Sequence, residues 1–277
     1  MMNKYFKLFV ILLTVKILCV SNVFAKNVLT IAGSTTILPI SEKWAKQYKE
    51  KTNISVNVHG GGSTGGVIAT KIGTADIGAS SRELTKIEKI GLTEIIIGKD
   101  ALAIIVNKNN PVQNLTLDQA RGIFVGRIKN WKEVGGPNKP IQIINRESGS
   151  GTRDSFEEVV MQITLKDNTK KKTPMSLRGI VSNSNAEVKE NIKMIPSSIG
   201  YVSVGFVDNS VKALTINSIT PSDNNIIQGD YPLVRNLYYL IKNKENKLVQ
   251  QFVSYILSSE GQSLILKEGF FPIVKVK

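Results

Sequence analysis

The stretch Glu147-Ser148-Gly149-Ser150-Gly151-Thr152 lies between the short apolar run 141–144 and a segment with helical spacing that starts near Arg153. A strand, a turn of small hydroxyl residues and a helix, in that order, are typical of an α/β protein. The first four backbone N–H groups of a helix lack internal partners and lie at its positive end, where they can bind an anion. This stretch therefore predicts an α/β fold with an anion site where a helix begins.

Two further turns of this kind occur earlier in the chain. Gly33-Ser34-Thr35-Thr36 follows the apolar run 28–32, and Gly60-Gly61-Gly62-Ser63-Thr64-Gly65-Gly66 follows the alternating run 54–58. For any one turn, the plainer interpretation is a loop whose glycines supply positive φ and whose Ser or Thr caps a helix. Because ligands of open α/β sheets bind at the carboxyl ends of strands, three such turns after three strands predict helix starts that converge on one small oxyanion.

The remaining sequence continues the alternation of strands and helices. Further strand candidates are 75–79, 101–106, 199–207 and 233–241, and further helix candidates are 117–124, 153–161 and 188–192. The last helix is predicted from one apolar face, formed by Val249, Phe252, Val253, Ile256 and Leu257. The polar stretch 167–174, which contains three lysines at 170–172, predicts a solvated loop. The alternation predicts sheets that are largely parallel and covered by helices.

The first 25 residues have the pattern of a secretory signal. Lys4 and Lys7 precede the apolar stretch 8–20, and Val23-Phe24-Ala25 supplies a cleavage site. We therefore expect residues 1–25 to be removed and the protein to be exported, to the periplasm or to the extracytoplasmic cell surface. Cys19, the single cysteine, would leave with the signal, which excludes disulfides and thiol chemistry in the exported protein.

The chain is basic, with a formal net charge of +14 at pH 7. A basic surface can steer anions toward a site. It also suits nucleic acid, but the lysines are scattered and only 6% of the residues are aromatic, so neither a continuous basic stripe nor a stacking platform is evident. We therefore expect no nucleic-acid partner.

The second turn also resembles a catalytic motif, because Gly61-Gly62-Ser63-Thr64-Gly65 fits the Gly-x-Ser-x-Gly turn of serine hydrolases. Such an enzyme needs a histidine base that normally follows the serine, whereas the single histidine, His59, precedes Ser63. The Gly-Lys-Ser/Thr of a P-loop is missing, and one histidine leaves little for a transition metal. We therefore predict a binding protein rather than an enzyme, without metal or cofactor, and keep a hydrolase using Ser63 as the alternative.

Arg146 directly precedes the third turn. A guanidinium can bind an oxyanion through two parallel hydrogen bonds, so Arg146 is the leading charged ligand candidate. The alternative is a salt bridge with Glu147. Arg82 and Arg153 are weaker candidates, because each has an acidic residue beside it in the sequence.

Several motifs, taken in order, resemble the family of phosphate-binding proteins of Pst-type ABC importers. They are Gly33-Ser34-Thr35-Thr36 before a helix with Trp44, Gly62-Ser63-Thr64-Gly65-Gly66, Asp76-Ile77-Gly78-Ala79-Ser80-Ser81-Arg82, residues 146–153, Ile199-Gly200-Tyr201, and the Ser-Ser-Glu-Gly-Gln of 258–262, which we place in the last helix. The resemblance covers essentially all of 28–277. Each motif alone is modest, whereas the ordered set is specific.

The resemblance implies a type II periplasmic binding protein with two α/β lobes, a two-segment hinge and the ligand in the cleft. Lobe one would comprise 26–101 and 229–277, and lobe two 102–228. Such a protein captures inorganic phosphate and delivers it to the membrane permease of a phosphate ABC importer, and we expect it to be a monomer.

The resemblance also implies a ligand set, carried over residue by residue. It consists of Ser34, Thr35, Thr36, Ser63, Thr64 and Ser81 from lobe one, and of Arg146, Ser150, Gly151 and Thr152 from lobe two. Some family members have an Asp where this chain has Ser81, and that Asp accepts the proton of hydrogen phosphate. Here a backbone carbonyl, a serine lone pair or Glu147 would have to accept it. A binder of sulfate or molybdate therefore remains an alternative.

Overall fold

The computed structural model describes residues 28–165 and 167–274. The signal segment 1–25 lies outside these residues. The strands are β1 Val28–Gly33, β2 Ser55–His59, β3 Ile77–Ser80, β4 Thr93–Asn107, β5 Asn114–Leu115, β6 Gln142–Arg146, β7 Gln162–Thr164, β8 Lys170–Lys172, β9 Gly179–Ser182, β10 Ser198–Ser203, β11 Val211–Ala213, β12 Thr215–Ile216 and β13 Val234–Ile241. The α-helices are α1 Leu38–Thr52, α2 Gly62–Ile72, α3 Lys86–Lys89, α4 Leu117–Phe124, α5 Gly151–Val160, α6 Asn185–Met194, α7 Asp223–Gln228, α8 Lys247–Leu257 and α9 Ser259–Lys267. Across 28–165 and 167–274, every helix is too short or too polar to cross a membrane.

Within the described residues, nine strands form one mixed sheet in the order β2-β1-β3-β13-β4-β10-β6-β9, with β11 also paired to β4. The pairs β1–β2, β1–β3, β10–β6 and β6–β9 are parallel. The middle of the sheet is antiparallel, because β13 runs opposite to β3 and β4, and β10 runs opposite to β4. The prediction of largely parallel sheets is therefore wrong for the centre of this sheet. Antiparallel neighbours, unlike parallel ones, need no helical crossover connection between them.

Strand β4 is longer than predicted and changes partner along its length. Residues 93–101 pair with β13, and residues 102–106 pair with β10. The sequence prediction found only 101–106, because that part is apolar throughout, whereas the earlier half contains charged residues such as Glu94 and Lys99. Strand β4 therefore belongs to both halves of the sheet, to the half with β13 up to residue 101 and to the half with β10 from residue 102.

Two large hydrophobic cores lie on either side of this change. The terminal core, as we call it, joins residues between 29 and 97 to residues between 237 and 270, and it includes Trp44 and Phe252. The central core joins residues between 101 and 233, with Phe271 added at its edge. Its centre is an aromatic stack in which the rings of Phe156 and Tyr201 lie 4.0 Å apart. Burial of large apolar side chains in two clusters is the main stabilising contribution to the fold.

The C-terminal helical region differs from the prediction. The apolar face of α8 is confirmed, since Val249, Phe252, Val253 and Ile256 are buried. However, α8 ends at Leu257, and Ser258 adopts an extended conformation in which its hydroxyl accepts a hydrogen bond from Gly261 N–H. Ser258 therefore caps a further helix, α9, so the 258–262 motif starts a helix of its own.

The lysines at 170–172 form the short strand β8, which pairs with β7, so the loop prediction is wrong there. The solvated character is confirmed, because all three side chains are exposed. Asn168, with φ at 61°, lies between the two strands, and asparagine tolerates this left-handed conformation in tight turns. The strand predicted over 199–207 ends at Ser203 and continues as a 3₁₀ turn, Val204–Phe206.

Candidate anion-binding site

The starts of helices α2 and α5 face each other directly, with the turn before α1 beside them. Thr64 N–H of α2 donates to the carbonyl of Gly149, just before α5, at 3.1 Å. A Cβ on Gly151 would lie 2.1 Å from the Ser63 hydroxyl oxygen, so only glycine permits this approach. The hydroxyl oxygens of Thr36 and Thr152, 116 positions apart in sequence, are 2.9 Å apart. Distant turns are thus brought together where helices begin, at the positive end of their dipoles.

Three buried serines of the terminal-core side form one hydrogen-bonded group. The Ser34 hydroxyl donates to the Ser81 hydroxyl at 2.9 Å and accepts from Thr36 N–H. Ser63 Oγ accepts from Ser81 N–H at 3.1 Å and lies 3.5 Å from Ser81 Oγ. Each hydroxyl has two acceptor lone pairs and one proton, so this group can both donate to an oxyanion and accept one proton from it.

Arg146 is buried, with 1% of its surface exposed. Its Nε and Nη2 bind the two carboxylate oxygens of Glu147 at 2.8 and 2.9 Å, and Nη2 also donates to the Thr35 hydroxyl at 3.2 Å. Nη1 is buried and has no hydrogen-bond partner within 28–165 and 167–274. Because a buried charged donor without a partner is costly, Nη1 is the strongest indication of a missing acceptor. The salt bridge between Arg146 and Glu147 is therefore present, and it leaves Nη1 as a further donor.

Ser150 and Thr64 have other uses for their hydroxyl groups. Ser150 Oγ accepts from Arg153 N–H at 3.2 Å and caps α5. Thr64 Oγ1 accepts from Arg82 Nη2 at 3.1 Å. In the described structure, Ser150 therefore shapes the start of α5, and Thr64 faces Arg82 rather than the other hydroxyls.

Arg82 joins the two sides of the site through ion pairs. It binds Glu88 through Nη1 and Nη2 at 2.9 and 2.8 Å, and its Nε lies 2.7 Å from Asp154 of α5. The hydrogen bonds from Arg82 lower the pKa of Glu88 to about 2. Burial raises the pKa of Asp154, against the attraction of Arg82. Arg82 is therefore already occupied by carboxylates.

Three polar residues in the same cluster were missed by the sequence analysis: Asp100, Asn185 and Arg235. Arg235 binds Asp100 at 2.7 and 2.9 Å and donates to the hydroxyls of both Thr36 and Thr152 at 3.2 Å. Asn185 Nδ2 donates to Thr36 Oγ1 at 2.9 Å. A signal was present for Asp100, which directly precedes the wholly apolar segment 101–106, where a charged residue must be paired.

The geometry gives little support to serine hydrolysis. His59 is exposed at the end of β2, whereas Ser63 is fully buried and bonds with Ser81. Among the described residues, no hydrogen bond links Ser63 to His59, and no three His, Cys, Asp or Glu side chains are grouped to hold a metal ion. The cluster is suited to binding a small oxyanion.

Comparison with known proteins agrees with this geometry. Residues 23–260 match the family model described as a PBP superfamily domain. The phosphate-binding protein PstS of Borreliella burgdorferi is 35% identical over 255 residues, which cover 90% of this chain and 91% of that protein. The chain belongs to the PstS family.

Solved structures agree with membership of the PstS family. A Clostridium perfringens protein described as a phosphate ABC transporter substrate-binding protein, with bound phosphate, has a TM-score of 0.81 and 33% identity, over 89% of this chain and all of that one. An ABC-type phosphate transport receptor from Vibrio cholerae has a TM-score of 0.73 and 34% identity, over 88% and 99% of the two chains. The expected fold class, the α/β fold of type II periplasmic binding proteins, is thereby confirmed.

Proposed function

We propose that this protein captures inorganic phosphate in the cleft between two lobes and delivers it to the membrane permease of a phosphate ABC importer. The observation that carries the proposal is the buried Nη1 of Arg146, which lacks a partner among the described residues, while Nη2 of the same guanidinium donates to the Thr35 hydroxyl from the other side of the cleft. Charge-assisted hydrogen bonds in a dry cleft are strong enough to hold a dianion without a full countercharge. The relatives named as phosphate-binding proteins support phosphate as the oxyanion.

The separation of the two cores supports the proposed division into two lobes. Lobe one would comprise 26–101 with the C-terminal part, and lobe two would begin at 102, where β4 changes partner. Tyr231 and Leu233 pack in the central core, and Leu102 N–H donates to the carbonyl of Leu233. This packing supports a second boundary near 234 rather than at 229. Strands β4 and β13 would form the two hinge segments.

The proposed ligand set retains the residues implied by the resemblance, with different duties. Ser63, Ser81, Arg146 and Thr152 would supply side-chain donors, and the turn residues Ser34, Thr35 and Thr36 would support them. Gly151 would allow the close approach of α5 and, with Ser150, would offer backbone N–H groups at its start. Thr64 would act indirectly, through the hydrogen bond that its hydroxyl accepts from Arg82 and the one that its backbone N–H donates to Gly149.

The proton of hydrogen phosphate would be accepted by a serine. Both oxygens of Glu147 already bind Arg146, so Glu147 is poorly placed to accept it. Ser81 Oγ accepts one hydrogen bond, from Ser34, and keeps a second lone pair. This acceptor is weaker than the Asp of other family members, and we therefore propose weaker discrimination against sulfate than that Asp would provide.

Calorimetric titration of the purified protein with phosphate, arsenate, sulfate and molybdate tests the proposal. We expect one phosphate per chain, arsenate competing at the same site, and sulfate and molybdate binding more weakly. Tighter binding of sulfate or molybdate, or no heat with phosphate, would contradict it. Labelling of Ser63 by a fluorophosphonate probe, absent in Ser63→Ala, would instead favour the hydrolase.

The protein would work as an exported monomer outside the cytoplasmic membrane, without enzymatic activity. Export rests on the signal pattern of residues 1–25. Fractionation of the source cells, with and without residues 1–25, checks the location, and light scattering of the purified protein checks the oligomeric state.

A further inference from the structure

A closed polar network lies where the two halves of the sheet meet. Asp100 of β4 and Arg235 of β13 are directly opposite each other in the antiparallel pair, so their side chains share one face of the sheet. Asp100 is fully buried and Arg235 is 8% exposed. The second oxygen of Asp100 accepts from the Ser203 hydroxyl at 2.8 Å, on the strand that takes over pairing with β4.

The orientation of Asn185 in this network is fixed by its second bond. Asn185 Oδ1 accepts from Ser203 N–H at 3.2 Å, so the amide nitrogen Nδ2 must face Thr36 Oγ1. Thr36 Oγ1 also accepts from Arg235 Nη2. Two donors fill both lone pairs of the Thr36 oxygen, so this hydroxyl must donate its own proton.

The donors and acceptors around the Thr152 hydroxyl can be assigned in the same way. The two protons of Nη2 are used on Asp100 and Thr36, so Nη1 of Arg235 donates to the Thr152 oxygen at 3.2 Å, and Thr36 Oγ1 lies 2.9 Å from that oxygen. Because the Thr36 oxygen is already filled, Thr36 is the donor of that contact, and the proton of Thr152 is directed away from both partners. Hydroxyl groups that can only donate favour a deprotonated oxyanion oxygen over a neutral or protonated ligand.

We infer that Asp100 and Arg235 are positioning residues that hold the Thr36 and Thr152 hydroxyls in one orientation, so that Thr36 donates to Thr152 and Thr152 donates to the bound oxyanion, which links both sides of the site to the strands between the lobes. The inference rests on the proposed function. Arg235 has its charge balanced by Asp100, so the pair contributes orientation rather than net attraction for the anion. The direct charge on the ligand would come from Arg146.

A double-mutant cycle tests this inference. Asp100→Asn combined with Arg235→Met removes both charges together, so that no unpaired ion is left buried. In the parent protein we expect this pair of changes to weaken phosphate binding about tenfold to a hundredfold, as expected for loss of charge-assisted orientation. In a Thr152→Val background, where one oriented hydroxyl is gone, the further loss should be several-fold smaller. Calorimetry, with ³¹P NMR for weak binding, measures all four proteins.

A purely structural role would give a different result. If the double change costs the same affinity in the parent protein and in the Thr152→Val background, the pair does not act through the hydroxyl, and the inference is wrong. The control is Asp118→Asn with Arg127→Met, which removes an exposed ion pair and should leave affinity unchanged in both backgrounds. If the parent protein itself binds no phosphate, the proposed function fails instead.

Discussion

At the scale of single residues, Arg146 is held in place by a carboxylate that binds only two of its three guanidinium nitrogens. Glu147 fixes the plane of the guanidinium through Nε and Nη2, while Nη1 remains for a ligand. Arg153 differs, because its Nε binds Glu157 and its Nη1 donates to the carbonyl of Arg146. Arg153 therefore supports the backbone of the turn.

This difference predicts unequal effects of two arginine substitutions. Arg146→Ala should weaken phosphate binding by about a hundredfold or more, because it removes a charge-assisted donor from a buried site. Arg153→Ala should cost clearly less, since only backbone support is lost. Calorimetry of both variants makes the comparison, and equal losses would contradict the roles assigned here.

Gly151 allows the contact between the starts of α5 and α2. A Cβ at this position would lie 2.1 Å from Ser63 Oγ and 2.6 Å from Ser81 Oγ. Gly151→Ala should therefore keep the two sides apart and weaken phosphate binding at least about tenfold. The matched control is Gly65→Ala in α2, where a Cβ would have no neighbour within 4 Å. It should leave affinity unchanged and stabilise the protein by about 0.5 kcal/mol. Normal affinity in Gly151→Ala would contradict the close approach.

Sequence reasoning found the residues of the hydroxyl-rich turns because short motifs place them. It missed Asp100, Asn185 and Arg235, which come from three separate elements and meet only through sheet pairing and packing. Apart from the apolar segment that follows Asp100, no local pattern distinguishes these residues from ordinary polar positions. The pairing of β4 with β13, which puts Asp100 opposite Arg235, was needed to identify them.

At the scale of elements, the end of β3 is held by the short helix α3. Thr85 and Glu88 form a capping box at its start, and Glu88 binds Arg82 with both oxygens. This arrangement joins the turn that contains Ser81 to a capped helix. The ion pair thus supports the position of the site.

The low pKa of Glu88 predicts how this support depends on pH. A carboxyl group whose pKa is about 2 when folded, against its usual 4.5, stabilises the folded state above pH 4.5 and loses that contribution as the pH falls toward 2. Glu88→Gln should therefore lower the melting temperature at pH 7, with a difference that narrows between pH 5 and pH 3. Glu190→Gln, which breaks an exposed pair with Lys193, should have little effect at any pH. A pH-independent difference for Glu88→Gln would contradict this explanation.

Helices with a strong hydrophobic period were predicted well. Features that depend on contacts between distant segments were not. Helix α4 has the predicted bounds, and the buried face of α8 has the predicted residues. The first half of β4 and the antiparallel centre of the sheet were missed, because strand direction depends on which distant strands pair. The break between α8 and α9 was missed because Ser258 reads as an ordinary polar position until its capping bond is seen.

At the scale of the whole molecule, ligand binding and closure are coupled in the proposed mechanism. Thr36 and Thr152 touch across the cleft, and Arg82 of the terminal-core side pairs with Asp154 of α5. A ligand that binds both sides at once favours the closed arrangement by its differential affinity for it. The closed form is what a permease would recognise.

The substitution Ser150→Asp should keep the N-cap of α5 but prevent phosphate from closing the two lobes. Aspartate is a good N-cap, so α5 should keep its start and the protein its fold. The new carboxylate would lie among the donors of the site and repel the anion. We expect phosphate to reduce the radius of gyration of the parent protein in X-ray scattering and to leave Ser150→Asp unchanged. Ser258→Asp at the start of α9, where the cap has the same 3.2 Å geometry, should still close. Compaction of Ser150→Asp by phosphate would count against the site.

The proposed mechanism requires one tetrahedral oxyanion to be bound between the helix starts. A crystal structure of the protein with arsenate locates that anion directly. The anomalous signal of arsenic gives its position without interpretation of weak density. We expect a single arsenic site with its oxygens within hydrogen-bond distance of Arg146 Nη1 and of the hydroxyls of Ser63 and Thr152. An arsenic atom bound elsewhere, with Arg146 Nη1 still lacking a partner, would contradict it.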